Sequence, residues 1–314
     1  MLRLVLQRLV ATLPIMVVVA TVVFLLLRFA PGDPAHVIAG DLATVEQVEA
    51  IRKDMGLDQP ITTQYVRWMS AVLTGDLGHS VISKKPVTEL IAIRLPPTLS
   101  LAASAILVTI LVAVPLGVLA SWRHGSWVDK GIRAGSVLGF SVPSFVIGYL
   151  LIYAFAVRLS WLPVQGYASL EERGLAEYLR HLVLPTLALA SVYIALISRI
   201  TRASMLDILG EDFVRTARAK GAPEKVVLFR HALRNAAVPI VTIVGVGITA
   251  LISGVVVTET VFNIAGVGRM IVDAVLARDY PVVQGTILFF SFAYIFINLM
   301  VDIAYVLLDP RIRY

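Results

Sequence analysis

The sequence predicts an all-α polytopic membrane protein with six transmembrane helices. Of its 314 residues, 58% are hydrophobic and only 15% are charged, whereas a soluble domain averages about 45–50% apolar and about 25% charged residues. Six stretches are also apolar over the length of about 20 residues that a helix needs to cross a bilayer. They are residues 9–27, 99–120, 135–157, 182–200, 237–257 and 284–308.

The charge balance and the cysteine count exclude several classes of function. A net charge of +6 fits either a nucleic-acid-binding protein or a membrane protein with basic cytoplasmic loops. No recognisable nucleic-acid module is present, so we expect membrane lipid and not nucleic acid as a partner. The chain has no cysteine, which excludes disulfides, Cys-ligated zinc and thiol chemistry.

The first apolar stretch resembles a signal peptide, because Arg3 and Arg8 precede it. It is longer than a typical signal core and no small-residue cleavage site follows it, so we expect an uncleaved first helix. A stiff turn, RFAPGDP at residues 28–34, is expected after it.

Lysine and arginine in the short loops predict the orientation. With six spans, all the basic clusters fall on one side of the membrane. They lie before the first span, between spans two and three, between spans four and five, and after the last span. Both termini are therefore expected in the cytoplasm. These residues are Arg3, Arg8, Arg123, Lys130, Arg133, Arg199, Arg202, Arg215, Arg218, Lys220, Lys225, Arg230, Arg234, Arg311 and Arg313.

The long segment between the first two spans is then external, and its length argues for structure of its own. Thr44 and Gln47 form a capping box that predicts a helix ending at Gly56. A second helix is predicted from Pro60 to Gly75. Its apolar face is expected to pack on the spans, with the membrane surface as the alternative, and it comprises Ile61, Tyr65, Trp68, Met69 and Val72. A third amphipathic helix is predicted over residues 169–179.

A basic segment, residues 211–239, lies between two apolar spans and is predicted to form a helix, a glycine break and a second helix. Gly221 is a natural helix stop with access to the left-handed conformation. Pro223 suits the first turn of the next helix, where its missing N–H costs nothing. A short helix pair with one basic and one apolar side, placed at a membrane surface, is suited to being held by a soluble partner.

Catalytic and cofactor motifs are missing from the sequence. There is no Walker sequence for ATP, no paired metal-ligand spacing among the five histidines and no nucleophile elbow. The isolated Gly266-Val-Gly268 is interpreted as a turn. We therefore expect no catalytic residue, no bound metal and no cofactor.

Asn298 and Asp302 lie one turn apart on one face of the last span. An ionisable residue inside a span suggests function by default, although pairing of Asp302 with a nearby arginine is the structural alternative. A proton-coupled carrier would need several such acids, so a secondary transporter is disfavoured.

The basic segment, with RTARAKG at residues 215–221 and HALRN at 231–235, resembles the EAA loop of ABC importer permeases. The resemblance is to the B-type subunit of the oligopeptide and dipeptide permease family, and it covers nearly the whole chain. Further matching motifs are LRFAPGDP (27–34), GLDQP (56–60), GDLG (75–78), LPPT (95–98), FSVPSF (140–145), WLP (161–163), LPT (184–186), TETVF (258–262), DYP (279–281) and DPRIR (309–313). The general EAA pattern has Glu-Ala-Ala where this chain has Arg215, Thr216 and Ala217, as the peptide branch does.

The resemblance implies a type I ABC importer permease fold in a bacterial inner membrane. A peripheral helix (residues 1–30) and an external loop (31–98) would precede the core (99–314), with the EAA coupling loop at 199–236. The implied partners are a second homologous permease subunit in a heterodimer, two cytoplasmic ATPases that carry ATP and magnesium, and an external binding protein. The implied ATPase-coupling residues are Arg215, Thr216, Ala217, Gly221, Ala222, Pro223, Glu224, Lys225, His231, Leu233 and Arg234.

The implied substrates are di- and oligopeptides. Glutathione, nickel chelates and oligosaccharides are alternatives within the same importer type. A carrier or channel working alone, or a membrane-anchored receptor, belongs to other classes, and a neighbouring gene for a Walker-containing ATPase would discriminate against both.

Overall fold

The computed structural model describes residues 2–29, 34–39, 43–54 and 56–308, and there the chain is predominantly helical. The predicted turn at residues 30–33 and the DPRIR motif at 309–313 lie outside these residues. The helices are α1 (Leu2–Phe29), α2 (Pro34–Ala39), α3 (Val45–Asp54), α4 (Ile61–Leu73), α5 (Val87–Trp122), α6 (Trp127–Ser141), α7 (Ser144–Leu151), α8 (Leu170–Leu209), α9 (Asp212–Ala219), α10 (Glu224–Val226), α11 (Ala237–Val261), α12 (Val267–Leu276) and α13 (Tyr280–Leu308). Two π-helical segments, Ile152–Arg158 and Val227–Leu233, continue α7 and α10.

Four helices in the described part of the chain are long and apolar enough to cross a membrane: α5, α8, α11 and α13. Helix α7 with its π-helical continuation is bent by 104° relative to α6. If the bent pair is one broken span, it adds a fifth crossing. The predicted first span lies within α1, whose apolar part counted by composition is Val10–Leu25. The all-helical, multi-span prediction is confirmed, and the number six stays a prediction.

The break between α6 and α7 falls inside a stretch for which the sequence predicts one helix, residues 135–157. Val142 and Pro143 are extended there, with ψ angles of 123° and 141°. Pro143 has no N–H to donate, and its ring disfavours the helical conformation of the residue before it. Pro143 therefore breaks the helix. A hydropathy value averaged over the predicted span does not detect this effect of a single proline.

Helix α8 is longer than the predicted span of residues 182–200. It also includes the predicted helix at 169–179, with an interruption at Gly174, where φ is 75° and ψ is 172°. Ser169 caps its start by accepting a hydrogen bond from the Glu172 N–H at 3.4 Å. Pro185, expected in a first helical turn, is instead a buried residue in the interior of α8.

The chain divides into two compact units. One unit comprises Leu2–Pro96 and Gly266–Phe296. In it, the ring centroid of Phe24 on α1 lies 5.3 Å from that of Tyr65 and 5.4 Å from that of Trp68 on α4. The hydroxyl oxygens of Thr21 and Tyr65 are 2.7 Å apart. The apolar face of α4 thus packs on the first predicted span, as expected.

Local helix signals in this unit match the structure. The Thr44 N–H donates to Gln47 Oε1 at 2.9 Å, and the Gln47 N–H donates to Thr44 Oγ1 at 3.4 Å, which is the predicted capping box. Gly56 and Gly75 follow α3 and α4 with positive φ angles of 64° and 85°. Gly266-Val-Gly268 is not a simple turn, because it opens α12, whose buried Val267, Met270 and Ala274 share one face.

A loop before α5 is fastened to the start of α13 within the same unit. Asp279, which is buried, accepts hydrogen bonds from the Ser80 hydroxyl at 2.5 Å and from the Val81 N–H at 3.1 Å. The core beside it contains Val87 and Val283. The DYP motif at residues 279–281 therefore has a structural role as an anchor for this loop.

The other unit comprises Pro97–Ala265 and the chain from Ile297 onward. Its main core joins α5, α8 and α11 around buried apolar side chains, among them Leu101, Leu184, Leu189, Val255 and Phe262. A smaller cluster sits where α5 and α8 end and α11 begins. This second cluster is where the basic segment is attached.

Candidate functional site: the basic segment between α8 and α11

The basic segment consists of α9, a tight turn at Gly221, and α10 with its π-helical continuation. Gly221 has φ 80°, so the predicted left-handed position is confirmed. The turn is closed by hydrogen bonds from the Gly221 N–H to the Arg218 carbonyl at 2.9 Å and from the Ala222 N–H to the Ala217 carbonyl at 3.1 Å. Pro223, predicted in the first turn of the new helix, instead immediately precedes α10 as its N-cap residue, with an extended ψ of 147°.

An ion pair spans this turn. Arg218 Nε lies 2.8 Å from Glu224 Oε1, and the side chains are 42% and 46% exposed. Pairs this exposed contribute about 0.2–1 kcal/mol, so the pair bridges the turn but adds little to the stability of the fold. Arg215, by contrast, pairs within α9, with Asp212 at 3.3 Å.

One side of the segment is buried. Val227, Leu228, Ala232 and Ala236 are at most 5% exposed. Of these, Leu228, Ala232 and Ala236 pack in the cluster shared with Val118 of α5, Met205 of α8 and Ile240 of α11. Because packed interiors deform little, the π-helical continuation of α10 is firmly attached to the ends of α5 and α8 and to the start of α11.

The other side of the segment is open. Most residues predicted for ATPase coupling are exposed: Arg215, Thr216, Gly221, Pro223, Glu224, Lys225 and Arg234. Four are partly buried, namely Ala217, Ala222, His231 and Leu233. Phe213 and Phe229 are 43% and 60% exposed beside these charges. A basic surface with two accessible aromatic rings is suited to a protein partner.

A buried carboxylate ties α6 to α8 in the same unit, and the sequence analysis missed it. Asp129 is fully buried and receives two hydrogen bonds from Arg202, Nε to Oδ1 at 2.6 Å and Nη2 to Oδ2 at 2.8 Å. The Gly125 N–H donates to Oδ2 at 3.0 Å. Ser126 caps α6 by accepting from the Asp129 N–H at 3.3 Å. The Ser-x-x-Asp spacing was the sequence signal for this cap.

The family of the chain follows from comparison with known proteins. Residues 113–314 match the profile of the family described as binding-protein-dependent transport system inner membrane component. Residues 1–102 match the N-terminal domain described for the same membrane components. The chain belongs to this family. The predicted resemblance to a binding-protein-dependent permease is thereby confirmed, and the protein is a multi-pass component of a bacterial inner membrane.

Individual relatives match this permease over its whole length. A Sinorhizobium fredii protein described as a probable peptide ABC transporter permease is 52% identical over 99% of both chains. The glutathione transport system permease GsiC of Escherichia coli is 42% identical over 100% of both chains. A chain of the MetNI methionine ABC transporter in an inward-facing conformation has a TM-score of 0.59 at 15% identity, covering 71% of this chain and 97% of that chain. That likeness shows the type I importer fold.

The predicted polar residues of the last span of this permease have different surroundings. The Oδ1 atom of Asn298 lies 3.2 Å from Thr249 Oγ1 on α11. Asp302 lies one turn further along α13 and is partly buried. Asn298 therefore helps to join α13 to α11, and the role of Asp302 stays a prediction.

The permease contains a second acid inside a core helix, at a position that hydropathy placed in a loop. Glu259 is fully buried in α11 and accepts a hydrogen bond from Thr98 Oγ1 at 2.6 Å. The helix continues past the apolar run to Val261, and within it the Thr258 and Thr260 hydroxyls donate to the carbonyls of Gly254 and Val256. Asp302 is thus not the only acid in the described helices of the core.

Proposed function

We propose that this chain is the permease subunit of an ATP-driven, binding-protein-dependent importer of di- and oligopeptides. The observation that carries the proposal is the two-sided basic segment, exposed and basic at its tip and buried at its base against α5, α8 and α11. The Sinorhizobium fredii relative, named for peptides and 52% identical, supports the substrate class.

The proposed complex contains a second, homologous permease subunit, two cytoplasmic ATPases and an external binding protein. ATP and magnesium belong to the ATPases, because this sequence lacks the Walker loop that cradles phosphates. Both termini and the basic segment face the cytoplasm in this arrangement, which agrees with the distribution of lysine and arginine.

The mechanism follows from how the segment is attached. The tip around Ala222 sits in a groove of one ATPase, and closure of the ATPase dimer on ATP moves that groove. The buried base passes the movement to α5, α8 and α11 as a rigid-body shift. Since Arg202 of α8 grips Asp129 at 2.6 Å, α6 moves with them. Alternating access then results from two discrete packings of the helices.

Glutathione is the second candidate substrate, because GsiC is 42% identical over the full length. Both candidates are short peptides with carboxylates. The binding protein is expected to choose between them, so uptake assays with each substrate and the cognate binding protein discriminate between the two.

The coupling role is tested by Ala222→Trp, which adds bulk at the tip. We expect normal abundance of the chain in the membrane, weaker association with the ATPases and a loss of at least tenfold in substrate-stimulated uptake. Ala176→Trp, an exposed alanine near the start of α8, is the matched control and should retain uptake, as surface changes cost only about 0.5 kcal/mol. Full uptake by Ala222→Trp would remove the segment from the mechanism.

A further inference from the structure

A cavity of about 100 Å³ lies between α6 and α8. Its walls include Ser136, Phe140 and Ser141 of α6 and Ala195 and Arg199 of α8. The volume admits several water molecules or one carboxylate group. A cavity lined by an arginine and two serines is an unusual feature for two helices of an apolar membrane protein.

Arg199 differs from the other arginine on this face of α8. Arg202 is bound on two atoms to Asp129. Arg199 is exposed, its guanidinium carbon lies 6.0 Å from the centroid of the Phe140 ring, and it makes no ion pair with any acid among the residues described here. The ring holds the cation in place while all five of its N–H donors remain available to a ligand.

The depth of this guanidinium can be measured along α6. The turn between α5 and α6 carries Trp122 and Trp127, each beneath a basic side chain at 4.7 and 4.6 Å. Amphipathic aromatic rings of this kind mark a membrane interface. Phe140 lies thirteen residues beyond Trp127, which is about 20 Å along a helix.

The level of Arg199 follows from how α8 packs against α6. The two helices are antiparallel, because Asp129 contacts Arg202 and the hydroxyl oxygens of Ser136 and Ser198 lie 3.1 Å apart. The Arg199 backbone is therefore level with Ser136, and its guanidinium lies over the ring of Phe140. Arg199 is counted among the basic residues that predict the orientation, but it lies within α8 and inside the predicted span of residues 182–200, and an ionisable residue inside a span indicates function.

We infer that Arg199, together with the Ser141 hydroxyl, forms a carboxylate-binding step on the translocation path. The inference rests on the proposed importer function and adds the substrate group that this site recognises. A guanidinium matches a carboxylate with two parallel hydrogen bonds. Ser136 is not a ligand, because its hydroxyl donates to the Ile132 carbonyl at 2.9 Å. Because Arg199 is the single cationic side chain among the described residues that line the cavity, it is expected to bind the substrate carboxylate weakly enough for the substrate to leave again.

The site is tested without transport by labelling single cysteines, which the cysteine-free chain permits. Val137 lines the cavity and is 62% exposed, and its neighbour Leu138 does not line it and is 65% exposed. In the complete complex, Val137→Cys and Leu138→Cys are reacted with anionic ethylsulfonate and cationic trimethylammonium methanethiosulfonates. We expect Arg199→Gln to lower the anionic-to-cationic rate ratio about tenfold at position 137, through the loss of one nearby charge, and to leave position 138 unchanged.

Two outcomes overturn the inference at this stage. If Val137→Cys does not react with water-soluble reagents, the cavity is not on an aqueous path. If Val137→Cys reacts but Arg199→Gln does not change its anionic-to-cationic rate ratio, the guanidinium does not attract anions to the cavity.

Transport provides the second arm, using trialanine and its C-terminal amide in proteoliposomes. Arg199→Gln should reduce the uptake of trialanine at least tenfold relative to that of the amide, and Arg199→Lys should restore part of it. An equal loss for both peptides, or a loss of the assembled complex, would assign Arg199 a structural role, such as pairing with an acid of the second permease subunit. If the wild-type complex imports no peptide, the proposed function fails, and the labelling ratio decides the anion site alone.

Discussion

Asp129 shows how a single buried charge holds two membrane helices together. Both of its oxygens are occupied, by Arg202 and by the Gly125 N–H. The Arg202 side chain is itself only 16% exposed, whereas that of Arg133, 3.4 Å from the same carboxylate, is 51% exposed. The interaction with Arg202 is therefore the one shielded from water and is expected to matter most.

Asp129→Asn should destabilise the permease substantially. The change leaves Arg202 without its charged partner in a largely buried position, and breaking a buried ion pair from one side costs about 3–5 kcal/mol. We expect a clear drop in the apparent melting temperature of the detergent-purified chain. Asp207→Asn, an exposed aspartate further along α8, should change the free energy of unfolding by no more than about 0.5 kcal/mol.

The double variant Asp129→Asn with Arg202→Met separates pairing from packing. If the two residues act together, its destabilisation is smaller than the sum of the single changes. Additive effects would mean that the ion pair contributes nothing of its own.

At the scale of helices, small residues set how closely α5 and α8 approach. A Cβ atom at Gly117 would lie 2.5 Å from Thr201 Cβ and 2.8 Å from the Ser198 carbonyl oxygen. Gly254 on α11 is tight in a different way, because its closest neighbour at 2.7 Å is the end of the flexible Leu189 side chain. Membrane helices pack through such small residues because lipid provides no hydrophobic force between them.

Gly117→Ala should therefore be the more damaging of two identical substitutions. Backbone atoms of α8 cannot yield, so the helices must separate, and overpacking of this kind costs about 1–3 kcal/mol. Gly254→Ala should cost less, since Leu189 can change rotamer. Melting temperatures of both variants test the order, and a larger effect for Gly254→Ala would contradict it.

Features of the fold that depend on neighbouring residues were predictable from the sequence, and features that depend on tertiary contacts were not. The Thr44–Gln47 cap and the turn at Gly221 depend on interactions within a few residues, so the sequence alone predicts them. The burial of Glu259 depends on Thr98, 161 positions away. Likewise, Phe140 and Arg199 are far apart in the chain, and only packing of α6 on α8 reveals that they form one site.

At the scale of the whole molecule, the distribution of basic residues predicts on which side of the membrane each loop lies. Gln59 and Lys220 are both exposed and lie in loops of predicted opposite location. We expect Gln59→Cys to react with a membrane-impermeant maleimide from outside the inner membrane. Lys220→Cys should react only after that membrane is disrupted. Labelling of both from the same side would refute the topology and, with it, contact between the basic segment and cytoplasmic ATPases.

The π-helical turn of Val227–Leu233 has a consequence for how this protein can change over evolution. Each residue turns a helix by about 100° about its own axis. A single deletion or insertion in this π-helical turn would therefore rotate the tip at Gly221 about the helix axis, while the buried residues at the other end of the segment stayed in place. Substitutions on the outer surface leave that phase intact. We therefore expect permeases built on this plan to be constrained in the length of the segment as well as in the size of the residues at its tip.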